Sequence, residues 1–60
     1  MTTPIVIHGI AWHPGDVTTL PNGWMVHCAS AGAAASVIAD RHPGGIAGHD
    51  AAGWYVYVAR

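Results

Sequence analysis

The chain has 60 residues, of which 52% are hydrophobic and only 8% are charged, and its formal net charge is -1. Soluble domains usually carry about 25% charged residues, which keep neighbouring molecules apart. Two arginines cannot form the basic stripe with which nucleic-acid binders contact phosphates. The composition therefore argues against DNA or RNA binding by a monomer and indicates that part of the surface contacts another protein.

The length of the chain favours the same conclusion. A domain of this size buries only about 60% of the surface that its unfolded chain exposes. Such domains commonly need a disulfide framework, a bound metal or a partner to be stable. Cys28 is the single cysteine, so a disulfide framework is excluded. We expect one domain over residues 1–60 that is stabilised by self-association.

Membrane and secretory signals are missing from the sequence pattern. Asp and His residues interrupt every apolar run well before the roughly 20 residues of a membrane span. The first residues, Met1-Thr2-Thr3-Pro4, lack the basic start of a secretory signal. The sequence predicts a cytoplasmic protein, or a virion protein if the chain comes from a phage, with no membrane partner.

The first segment, residues 4–13, is rich in β-branched and aromatic side chains and is predicted to form one strand. Gly9 marks a bulge or a close approach of another backbone in that strand. Both faces of the strand are largely apolar, so we expect it to be central or covered by a partner. One face carries Ile5, Ile7 and Ala11, and the other carries Val6, His8, Ile10 and Trp12.

A hairpin and a helix are predicted next. Residues 17–20 and 24–29 form two strands around Pro21-Asn22-Gly23, a strong hairpin signal. Ser30 caps a helix over residues 31–42. The apolar stripe of this helix consists of Ala31, Ala34, Ala35, Val37 and Ile38.

Two His-Pro-Gly segments, residues 13–16 and 42–45, are predicted to be type II turns. Residues 45–52 are predicted to be a loop, and residues 53–60 alternate as the last strand. The element order is ββ(β)αβ. We therefore predict an α+β fold, a small antiparallel sheet of three or four strands with one helix packed on one face.

Alternation along the third and last strands indicates a candidate interface. A single helix covers one face of a sheet, and the Trp and Val positions are the natural core beneath it. Tyr and Met are enriched in the cores of protein interfaces. No charged residue protects the uncovered face or the edge of the tyrosine strand. The predicted interface consists of Met25, His27, Tyr55 and Tyr57, together with Val6, His8, Ile10 and Trp12 of the first strand. The alternative is that these are ordinary exposed strand positions.

Metal ligation and catalysis find little support. The five histidines show no ligand spacing, and His27 and Cys28 point to opposite faces of a strand. The three aspartates lie in separate segments, so no carboxylate pair is apparent. The sequence predicts no metal site, no catalytic residue and no enzymatic activity.

One local motif has a known counterpart. His42-Pro43-Gly44-Gly45 followed by Ala47-Gly48-His49-Asp50-Ala51 resembles the haem-binding core of the cytochrome b5 family over about ten residues. The resemblance implies that His42 is an axial haem ligand. The spacer between the two halves is shorter here, and the chain has no position for the second axial histidine. A helix end followed by Pro-Gly-Gly accounts for the same residues, so no cofactor is predicted.

Taken as a whole, the sequence predicts a protein–protein interaction or assembly module whose partner is a second copy, a larger assembly or a host protein. Small, charge-poor chains suit phage or viral accessory roles, such as a structural decoration subunit or an inhibitor of a host protein. The alternative is a small homodimer that binds a ligand, a metal or a nucleic acid.

Overall fold

The computed structural model describes residues 3–60; Met1 and Thr2, part of the segment that argues against a secretory signal, lie outside the described residues. The elements are β1 Ile5–Ile7, β2 Ile10–Trp12, β3 Val17–Leu20, β4 Gly23–Cys28, α1 Ala31–Asp40, β5 Ile46–Asp50 and β6 Gly53–Ala59. Four strands form an antiparallel sheet in the order β3-β4-β6-β5, and β1 pairs only with β2. The predicted α+β class, with one helix on an antiparallel sheet, is confirmed.

The prediction of one continuous strand over residues 4–13 is wrong, because the chain reverses at His8 and Gly9. Both residues have positive φ, 48° and 86°, as the two central positions of a type I′ hairpin turn require. Two contacts accompany this conformation of His8: its Nε2 donates to the Ala59 carbonyl of β6 at 2.8 Å, and its ring meets Trp24 of β4 edge-on. Gly9 is therefore a turn residue and not a bulge.

A single hydrophobic core lies on one side of the four-stranded sheet. Its fully buried side chains include Val26 and Val56 from the sheet and Ile7 from the β1–β2 hairpin. Ala34 and Val37 bring α1 into the same cluster. The hairpin and the helix thus share one face of the sheet and leave the other uncovered.

The start of α1 is confirmed, and its end is earlier than predicted. The Ser30 hydroxyl accepts a hydrogen bond from the Ala33 amide at 3.1 Å, which is the expected N-cap. The helix ends at Asp40, because the amides of Arg41 and His42 both donate to the Val37 carbonyl. Of the predicted apolar stripe, Ala34 and Val37 are buried and Ile38 is partly buried, whereas Ala31 and Ala35 are exposed.

The two His-Pro-Gly segments fold differently. At His42-Pro43-Gly44-Gly45, Gly44 has a φ of 91° and the Gly45 amide donates to the His42 carbonyl, which confirms a type II turn. At the first segment, Pro14–Asp16 forms a 3₁₀ turn. There the Gly15 amide donates to His13 Nδ1, and Gly15 does not take the positive φ that a type II turn needs.

The predicted loop over residues 45–52 contains strand β5, paired along its whole length with β6. Ala, Gly and Asp are poor strand formers, so the local sequence does not predict strand β5. The pairing with β6 stabilises the extended conformation that these residues do not favour by themselves. Asp50 Oδ1 accepts a hydrogen bond from the Ala52 amide at 2.9 Å, which closes the turn between β5 and β6. The tyrosine strand β6 is consequently central and has no free edge.

Two glycine substitutions separate backbone conformation from packing. A Cβ at Gly9 meets no atom within 4 Å, so the cost of Gly9→Ala comes from its positive φ, and we expect the free energy of unfolding to fall by about 1 kcal/mol. A Cβ at Gly32 makes only an ordinary contact with the Ser30 hydroxyl, and Gly32→Ala in α1 should raise stability by up to about 1 kcal/mol. Urea unfolding of both variants checks the signs; equal effects would contradict the assigned turn.

Candidate interaction surface

The sheet face opposite α1 is defined by the strand register. Residues directly opposite each other in antiparallel pairs project to the same face. One row of such residues crosses all four strands and consists of Thr18, Met25, Tyr57 and Ile46. A second row beside it crosses β4, β6 and β5 and consists of His27, Tyr55 and Gly48. Val26 and Val56 alternate with these residues and belong to the buried core. We call the surface formed by the two rows the open face.

Four of the predicted interface residues lie together on the open face. Met25 is opposite Tyr57, and His27 is opposite Tyr55. Met25 and both tyrosines are partly buried, and His27 is exposed. Sequence alternation therefore located these side chains correctly, while their role in an interface stays a prediction.

Hydrogen bonds and packing contacts within the protein restrain several side chains of the open face. The Tyr57 hydroxyl donates to the Asn22 carbonyl at 3.2 Å. The Tyr55 ring lies over Gly48, where a Cβ would overlap it. His27 Nε2 and Thr18 Oγ1 are hydrogen-bonded at 3.0 Å. These contacts restrain Tyr55, Tyr57 and His27, which reduces the side-chain entropy that these residues would lose on binding.

Ile46 is an exposed apolar residue of the open face that the sequence reasoning missed. It is 64% exposed and lies beside Tyr57 at the end of the first row. Residues 45–52 were expected to be a loop, so no face was assigned to it. The signal that could have found it is the weak alternation of Ile46, Gly48 and Asp50 before a turn and a strong strand.

The second predicted set, on the first strand, does not share a face. Because the chain reverses at His8, Ile10 pairs with Ile7 and Trp12 pairs with Ile5 on the side that packs against the core. Val6 points the other way and is 58% exposed. His8 is exposed at the turn itself. The prediction that Val6, His8, Ile10 and Trp12 form one surface is therefore wrong.

Charged side chains are sparse around the open face. Within residues 3–60, Asp50 is the one charged residue in the four strands that form the open face. Its carboxylate accepts a hydrogen bond from the Ala52 amide. Arg60 follows β6 and is bound at the other end of the sheet. Its Nε and Nη2 donate to the carbonyls of Pro21 and Leu20, and its guanidinium lies over Trp24. The middle of the open face is uncharged.

The histidines, the aspartates and Cys28 are spread over several elements of the described chain. Within residues 3–60, no group of three or more His, Cys, Asp or Glu side chains is close enough to hold a metal ion. Cys28 lies on the core side of β4 and His27 on the open face. Burial, with a smaller contribution from the charge of Asp16, raises the pKa of the Cys28 thiol, which favours its unreactive protonated form.

His42 has a structural role in place of the haem ligation that the cytochrome b5 resemblance implies. It is 4% exposed, and its Nε2 accepts the indole N–H of Trp12 at 2.8 Å. The nitrogen that an iron would need is thus occupied. The second half of the motif forms β5 in the sheet and no haem pocket. The residues present do not fit a haem.

Comparisons with protein-family models, curated proteins and solved structures give no match to this chain. Within residues 3–60, no helix is long and apolar enough to cross a membrane.

The buried His42 predicts a pH-dependent stability. Burial, and then the nearby His8 and Arg41, lower the pKa of His42 below its ordinary value near 6.5. The folded state then binds fewer protons than the unfolded chain between these two pKa values. The stabilisation is complete above about pH 6.5 and is lost as the pH falls through that window.

His42→Gln keeps an acceptor for the Trp12 N–H but cannot titrate, so we expect its stability to fall less than that of the parent protein between about pH 7.5 and pH 5. Urea unfolding across a pH series measures the difference. His49→Gln, which removes an exposed histidine from β5, is the matched control. If the free energy of unfolding of His42→Gln changed with pH as steeply as that of the parent, His42 would not be the group that causes the pH dependence.

Proposed function

We propose that this protein is a non-enzymatic interaction module that self-associates by packing the open face against the open face of a second copy. The observation that carries the proposal is the row formed by Thr18, Met25, Tyr57 and Ile46, which crosses all four strands with neither α1 nor the β1–β2 hairpin over it. Ile46, exposed over 64% of its surface, is the most accessible apolar side chain of this row.

A second copy suits this surface because the open face is uncharged at its centre. Two such faces meet without like-charge repulsion and without a buried ionic group to desolvate. Two sheets pack naturally face to face at about 10 Å through interdigitated side chains. A charged partner would find few complementary charges there, since the chain has five charged residues in all.

The size of the open face sets the strength of the association. Four strands spaced by about 4.8 Å, with six residues in β4 at about 3.3 Å each, give a footprint of roughly 400 Å². Two such footprints fall in the range below about 1,200 Å² that is typical of weak or transient complexes. The chain alone exposes 3789 Å², close to the roughly 3,700 Å² of a compact monomer of 6.2 kDa. We therefore propose a reversible dimer of a protein that folds as a monomer.

The same surface would serve the wider roles expected from composition. A decoration subunit of a larger assembly, or an inhibitor docked on a host protein, would present the open face to that partner. These roles differ from self-association in the mass of the isolated protein, which makes the solution mass the decisive measurement.

Two matched substitutions test the surface. Ile46→Lys places a charge on the open face at an edge strand, where Lys is well tolerated. Val6→Lys makes the same kind of change at a strand residue with 58% exposure, on the outer side of the β1–β2 hairpin. In sedimentation velocity across a concentration series, the parent and Val6→Lys should show reversible dimers, and Ile46→Lys should weaken dimerisation by about tenfold or more.

Three results would contradict the proposal. A parent protein that stays monomeric at high micromolar concentration would exclude self-association. Loss of the dimer in Val6→Lys alone would move the interface to the hairpin. Loss in both variants would indicate non-specific association through apolar surface.

A further inference from the structure

A cavity of about 260 Å³ lies where the β1–β2 turn meets the loop after α1, away from the open face. Its polar lining comes from His8, Arg41 and His42, and the rest of the wall comes from Val58, Ala59 and the Pro43-Gly44-Gly45 turn. Among the described residues, none of those that line it is acidic. The volume is slightly below the roughly 300–1,000 Å³ of drug-sized ligand sites, so the cavity suits a small molecule or one group of a larger one.

His42, which lines this cavity, has a ring N–H without a partner among the described residues. Trp12 Nε1 can only donate, so the His42 Nε2 that receives it carries no proton and the neutral ring has its proton on Nδ1. Within residues 3–60, Nδ1–H has no acceptor. No buried side-chain nitrogen or oxygen of the described residues lacks a partner, so this N–H is reached by solvent. Since His42 is 96% buried and lines the cavity, we infer that its solvent-reached Nδ1–H faces the cavity.

Arg41 adds positive charge with unused donors. Arg41 lines the cavity, and its guanidinium lies 4.9 Å from the Trp12 ring centroid, which restricts the planar group. Arg60 also lies over a tryptophan, but it donates to two backbone carbonyls. Arg41 has no hydrogen-bonded acceptor in the described part of the chain. Its fork of N–H groups remains available to a ligand.

We propose that this cavity binds the oxyanion group, carboxylate or phosphate, of a small molecule, through the Arg41 guanidinium and the His42 Nδ1–H. Both groups donate, and a planar guanidinium matches the paired oxygens of either anion. The end of α1 is close and its dipole disfavours an anion, but that effect is smaller than a charge-assisted hydrogen bond to arginine. The site does not depend on the open face, and either proposal can fail alone.

The test uses the full chain and two simple anions. Acetate and inorganic phosphate are titrated separately to about 100 mM at constant ionic strength, so that general screening does not change. NMR follows the amides of Gly44 and Gly45 and the ring signals of His42 and His8. Saturating shifts at these groups are expected, and the anion that binds more tightly identifies carboxylate or phosphate as the preferred group.

Arginine variants give the matched comparison. Arg41→Gln should weaken binding by about tenfold or more, because it removes the charged fork. Arg60→Gln removes the other tryptophan-stacked arginine, and the affinity should stay within about twofold of the parent value. Shifts that rise linearly without saturation for both anions, or equal weakening in the two variants, would overturn the proposal.

Discussion

The hydrogen bond from the Trp12 indole to the His42 imidazole connects two elements that lie on the core side of the sheet. It joins the β1–β2 hairpin to the loop after α1, two segments that are separated by 30 positions in sequence. With this contact made, hairpin and helix lie side by side on one face of the sheet and bury Ile7 with Val26 and Val56. The same bond determines which nitrogen of His42 faces the neighbouring cavity.

The sheet consequently has two very different faces. The core side receives both additional elements, and the opposite side receives none, so Ile46 and parts of Met25, Tyr55 and Tyr57 stay accessible there. The charges of the chain lie away from the middle of that open face. Both arginines lie over tryptophans, Arg41 on Trp12 and Arg60 on Trp24, where their stems and planar heads cover aromatic surface. Scarce charge is thus placed at the margins of the sheet.

The parts of the fold that the sequence predicted are those with strong local signals. The alternation of β4 and β6, the Ser30 cap and the Pro43-Gly44 turn each depend on neighbouring residues, and each is present. The same local alternation was enough to place Met25, His27, Tyr55 and Tyr57 on one face.

The missed parts depend on contacts between distant residues. His8-Gly9 is not one of the Asn-Gly, Asp-Gly or Gly-Gly pairs that signal a type I′ turn, so the local sequence predicts one strand where the structure has a hairpin. β5 exists because β6 pairs with it, and without that pairing its Ala, Gly and Asp residues do not indicate a strand. Ile46 was missed from the open face for that reason. The cavity at His42 was also beyond sequence reasoning, since it needs the hairpin turn, the helix end and β6 to meet.

The lengths of the two edge strands bear on how copies of this protein can assemble. β3 and β5 end the sheet with four and five residues, and Pro21 follows one while Asp50 closes the other. Such short, terminated edges offer few unpaired backbone groups for adding strands from further chains. A contact through the open face, in contrast, uses the same patch on both molecules and is satisfied once two have met. If two copies pair through the open face as proposed, the short edges of the four-stranded sheet favour a closed pair with two-fold symmetry over an open-ended filament.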